Sequence, residues 1–263
     1  MNTRRQRNSQ PGRAARVARP LSFLLLGALA FSVTVACAGE GGGRIRRIGA
    51  GLYRIGDVTL DADKRTIRCP GEVNMDAGGP IELLACTPRG KTHESVFVLY
   101  VRPLDLQVAL LLLDMREGRN PALTYPEGHP EADRPPGAAA RILVEWPADT
   151  VMQTAARHRK RAERFLYNVQ ADTPARRAEW VFLGSRFVDG RFGADLEGSL
   201  ITTYHDPLAI LELALPTAAD DIYYDVNQAV CPPVGTPVEL IISAGSREKL
   251  GEDKAREEQQ NAQ

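Results

Sequence analysis

VFVLYVRPLDLQVALLLLDM, Val96 to Met115, decides how this chain folds. Its first six residues are apolar throughout, as in a strand covered on both faces. Arg102-Pro103 then breaks the run. Proline has a fixed φ and no amide N–H, so it suits the first turn of a helix. Leu104–Met115 is apolar on nearly every side, the pattern of a buried helix. Gly118 stands where a helix C-cap is expected. The stretch therefore reads as a strand feeding a buried helix.

Working upstream, Ile81–Cys86 is a second apolar strand, set off by the turn residues Asp76, Gly78, Gly79 and Pro80. Val58–Leu60 and Arg65–Cys69 flank Asp61-Ala62-Asp63-Lys64 and read as a hairpin. Downstream, strands are expected at Arg141–Trp146, Trp180–Leu183, Leu200–Tyr204, Tyr223–Val226 and Val238–Ser243. Between the first two, Val151, Ala155, His158, Ala162, Phe165 and Leu166 recur at helical spacing. That spacing predicts a helix over Ala162–Val169. The preceding ARHRKR also alternates loosely, which leaves a basic strand open for that half. The class expected is α+β: a strand-rich single domain with a mixed sheet or sheets, one buried helix and one shorter helix.

The ends have a different composition. Residues 1–19 carry Arg4, Arg5, Arg7, Arg13, Arg16 and Arg19 and no acid, and Leu21–Ala36 is nearly unbroken apolar sequence. A basic flank before a short apolar core is the pattern of a secretory signal. Ala36-Cys37-Ala38 offers a signal-peptidase site, and Val35-Ala36-Cys37 resembles the lipobox of bacterial lipoproteins, with Cys37 as the lipidated residue. An uncleaved signal anchor is the third possibility. Residues 1–38 are thus read as an export signal and 39–51, with GEGGG, as a flexible tether. Residues 52–245 are read as the domain, with Glu117–Pro136 as a long surface loop. Residues 246–263 are read as a charged, disordered tail.

Charge and cysteines narrow the function. Removing six of the 33 basic residues with the signal leaves 27 against 33 acidic, a net −6. That balance argues against a nucleic-acid surface. Cys69, Cys86 and Cys231 remain, an odd number, so Cys231 has no partner that the sequence identifies. There is no CxxC, which argues against a zinc ribbon or an iron–sulfur centre. Pairing Val73 with Ile81 in a regular hairpin would put Cys69 and Cys86 on opposite faces, so these two are expected not to be bonded.

In order, the chain carries GPIELLAC, KTHES, the buried strand and helix, AEWVFLGSRF, DLEGSLITTY and PPVGTPVELII. Over about residues 58–243 this order resembles the YdjY-domain proteins. The resemblance implies a single exported domain, often a lipoprotein, and brings no mechanism or site residues with it.

Chemistry must be sought residue by residue. His93-Glu94-Ser95 lies where a polar loop enters the buried strand. On a strand His93 and Ser95 would share one side, with Glu94 turned away. A triad would then need another acid, for example Asp206, and no GxSxG elbow is present. His205-Asp206 with His93 or Glu94 could complete a metal site, but there is no HExxH, and His-Asp-Pro is ordinary turn chemistry. The plainer reading is that His93 and Ser95 satisfy backbone groups at the strand mouth. The basic run Arg157–Arg164 could bind an anionic polymer or lipid headgroups, but Glu163 and Glu179 dilute it, and a solvated helix face or sheet edge is preferred. The expected function is a non-catalytic binding or interaction module of the cell envelope, with no cofactor and no metal. Its partner would be an envelope ligand or protein, and a lipid or signal anchor would hold it at the membrane. The alternative is a hydrolase-type, metal or redox site around His93, Ser95 and His205/Asp206.

Overall fold

The structure, a computed structural model, describes residues 44–118, 137–148 and 156–245. The export signal, most of the Glu117–Pro136 loop, residues 149–155 and the charged tail lie outside the described residues.

Strand β1 (Ile45–Gly49) opens the described chain, followed by β2 (Leu52–Ile55) and β3 (Val58–Asp61). These pair in an antiparallel meander that runs into β4 (Thr66–Val73). β1 lies inside the stretch read as a tether. Four of its five residues are exposed, so it carries no alternating signal. β4 alternates cleanly, with Ile67, Cys69, Gly71 and Val73 facing in. β5 (Leu83–Cys86) and β6 (Ser95–Leu99) are buried at every position, and helix α1 (Pro103–Leu112) follows. β7 (Ala138–Pro147) and β8 (Arg157–Arg161) form the next antiparallel pair. Short β9 (Leu166–Asn168), β10 (Thr173–Pro174) and β11 (Trp180–Phe182) come next, then the β12 (Phe187–Val188)–β13 (Arg191–Phe192) hairpin. Helix α2 (Gly193–Glu197), β14 (Ser199–Thr202), β15 (Leu211–Leu213), β16 (Tyr224–Val226) and β17 (Pro237–Ala244) complete the order.

Eight of these strands close on themselves in the order β4, β17, β7, β11, β15, β14, β5, β6 and back to β4. The barrel is mixed: β14–β15 and β5–β6 are parallel, and the other pairs are antiparallel. Its interior is one apolar cluster that includes Ile67, Phe97, Ile142, Trp180, Leu211 and Leu240. Phe97, Phe165 and Trp146 meet edge to face at 5.1 and 5.7 Å, the geometry aromatic quadrupoles prefer. Closure is the feature the α+β reading lacked, because alternation reports faces and not the neighbours of a strand.

The seam between β4 and β6 depends on Pro70-Gly71. Up to Arg68, β4 pairs with β3 on this side; from Gly71 on, it pairs with β6. Pro70, with no N–H to donate, occupies the change of partner. A Cβ on Gly71 would come within 2.3 Å of the Val98 carbonyl oxygen, so glycine is what allows the two backbones to close.

Three readings change. The helix expected over Ala162–Val169 is a 3-10 turn, Ala162–Phe165, followed by β9, and the basic half is strand β8. Ala162, Phe165 and Leu166 are buried as the helical spacing required, but a strand–turn–strand satisfies the same pattern once β7 supplies the ladder. The second helix is α2 instead. Helix α1 ends at Leu112, not Met115; it is capped at Leu113, and Asp114, not Gly118, takes the left-handed conformation at φ 58°. Finally, β4 pairs with β6, not with β5 as the expected Val73–Ile81 hairpin required. The separation of the two cysteines survives that change. Cys69 belongs to the interior cluster and Cys86 packs outside with Leu83 and Val98, and both thiols are free.

Candidate functional site

Leu83 is paired with both Ser95 and Thr202. The start of β5, the start of β6 and the end of β14 therefore meet at one end of the barrel. The loops joined there carry the polar residues singled out in the sequence. Thr203 anchors the junction: its hydroxyl donates to the Ile81 carbonyl at 2.8 Å and its N–H to Glu82 O.

Lys91 links the two loops. Its ammonium is ion-paired with Glu82, lies 3.5 Å from the Tyr204 hydroxyl and sits 5.8 Å from the centroid of that ring. Burial works against the Lys91 charge, but the Glu82 hydrogen bond and Tyr204 outweigh it, and its pKa is raised. Burial pushes the Tyr204 phenol up to about 12, with Asp206 and Glu82 adding to the effect. Sequence reading missed Lys91; only its place at the start of KTHES marked it.

The expected site residues lie near one another without forming a catalytic arrangement. Thr92–Glu94 is a 3-10 turn, so the strand parity assumed for His93 and Ser95 does not apply. His93 is 75% exposed, and its Nε2 lies 3.6 Å from Glu94 Oε1. Ser95 is fully buried and donates its hydroxyl to the Lys91 carbonyl at 2.7 Å. The backbone-satisfying role therefore falls to Ser95, and His93 faces solvent. Asp206 accepts a hydrogen bond from the Leu208 N–H at 2.8 Å. Among the described residues no group of three or more His, Cys, Asp or Glu is placed to hold a metal. Burial pushes the Cys69 and Cys231 thiols up to about 12.

His205 is drawn elsewhere. Its Nδ1 lies 2.6 Å from Oε1 of Glu212, which is fully buried in β15. Burial pushes Glu212 up to about 7; the His205 hydrogen bond pulls it down, and Asp206 pushes it further up. His205 Nε2 and Glu212 Oε2 are buried with no hydrogen-bond partner. An imidazole held by a carboxylate can pass a proton, but both remaining atoms are walled off by protein. The sequence signal for Glu212 was an acid between Leu211 and Leu213 in a short apolar run.

A second region lies at the tip of the β7–β8 pair. A cleft of about 590 Å³ is lined by Trp146 and His158 on one side and by the Pro232–Pro237 loop on the other. Trp146 and His158 are cross-strand partners with ring centroids 5.3 Å apart.

The YdjY domain family model matches residues 58–243. This chain belongs to the YdjY-domain family. The YdjY match runs from the first residue of β3 into β17 and so takes in every strand of the barrel. β1 and β2 precede it. No curated protein and no solved structure matches the chain.

Proposed function

We propose that the chain is an exported domain of the cell envelope that binds a partner through the Trp146–His158 cleft and performs no reaction there. The cleft carries this reading. It joins an aromatic pair, prolines and an exposed basic strand, the make-up of a recognition groove. Export rests on the basic flank and apolar core of residues 1–36, with Cys37 as the residue to be lipidated. A benzophenone side chain placed at exposed Val234 in growing cells tests the cleft. One discrete adduct, lost on His158→Ala at unchanged melting temperature, is expected. No adduct, or one indifferent to His158, would overturn the reading.

A further inference from the structure

β8 reads RHRKR, five consecutive basic or imidazole residues, the first four of them exposed. Among the described residues it pairs with β7 alone, and no described strand lies along its other edge. The register assigns its faces. Arg159 lies opposite Glu145 and Arg157 opposite Pro147; His158 lies opposite Trp146 and Lys160 opposite Val144. Arg159 is paired with Glu145, and Arg161 with Glu163. Among the described residues Arg157 and Lys160 have no ion pair.

A lysine alone on an edge would guard it against unwanted pairing. A run that is cationic on both faces and opens onto an aromatic cleft goes further. We propose that β8 receives an extended acidic segment of a partner polypeptide, which adds to the edge as a strand. The proposal rests on the binding reading above and names its ligand. Only a polypeptide can continue the ladder, which is why the edge selects it over other polyanions. Its side chains would fall on both faces, so acids suit the positions beside Arg157, Arg159 and Lys160. A residue opposite His158 shares the face of Trp146 and lies at the cleft, so an apolar side chain suits that position.

The test uses the full chain and a dye-labelled heptapeptide with acidic residues flanking one central phenylalanine, read by fluorescence anisotropy. Saturable binding that weakens with salt is expected. Arg157→Glu and Lys160→Glu, both at exposed positions, should each weaken it by about tenfold at unchanged melting temperature. Methylating alternate peptide amides removes ladder hydrogen bonds and should cost at least about tenfold as well. Equal binding of the methylated peptide, or of heparin and anionic vesicles, would reduce the site to general charge attraction and overturn strand pairing. No peptide binding, together with self-association of Lys160→Val, would make β8 a guarded edge and nothing more. If the peptide fails while the Val234 adduct persists, the ligand class falls and the binding reading stands; if both fail, both fall.

Discussion

Alternation in β15 turns Leu211 and Leu213 into the barrel and Glu212 outward, yet the Glu212 carboxyl is wholly enclosed beside His205. Its pKa is raised from an ordinary 4.5 to about 7. A carboxyl that holds its proton more tightly when folded stabilises the fold below about pH 4.5, and that contribution is lost as pH rises through about 7. Over that window the loss amounts to about 3 kcal/mol. Urea midpoints at pH 5 and pH 8 should show this slope, and Glu212→Gln should flatten it. Ser95 and His93 separate in a similar way. Ser95→Ala removes one of the two hydrogen bonds to the Lys91 carbonyl, which keeps the Glu94 N–H at 3.2 Å, and should cost about 0.5–1.5 kcal/mol. His93→Ala, at the surface, should stay within about 0.5 kcal/mol. The sequence placed both residues at a strand mouth but could not tell them apart, because the 3-10 turn that sends His93 outward leaves no periodic trace.

Among the elements, β6, β7, β17 and the start of α1 were legible because each carries a local signal: an apolar run of strand length, or proline before a helix. β8 and the turn after it were not. Ala162 and Phe165 are three apart in a 3-10 turn as they would be in an α-helix, so burial spacing alone cannot separate the two. The ladder from β7, a partner far off in sequence, decides. The β4–β6 seam gives a direct test. Gly71→Ala sets a methyl group against the Val98 carbonyl and the Leu99 side chain. It should destabilise by about 1–3 kcal/mol or more, read as a drop in melting temperature, with the far-ultraviolet spectrum of the native state kept.

For the whole molecule, β17 has one barrel strand on each side. It pairs with β4 from Pro237 to Ser243 and with β7 from Glu239 to Ala244. A chain ending at residue 236 should fail to fold and should aggregate through the exposed edges of β4 and β7, which light scattering during refolding would reveal. That barrel closure was invisible in the sequence follows from the same fact, since its pairings join segments far apart along the chain. The ends of the chain carry their own prediction: the mature protein should begin at or after Cys37, and Cys37→Ser should release it from membranes if lipid holds it there. N-terminal sequencing that finds Met1 on a cytoplasmic protein would refute export.

The position of β17 also sets a clock. During synthesis β4 and β7 emerge long before their shared neighbour, and about 90 residues separate the end of β7 from the start of β17. At ribosomal speed that interval lasts roughly 5–20 seconds. Throughout it the nascent chain has two open edges and no way to shut the barrel. A polypeptide in that condition is still pliable enough to be threaded through a narrow channel. The arrangement that locks the finished barrel therefore also delays locking until its last strand has been made.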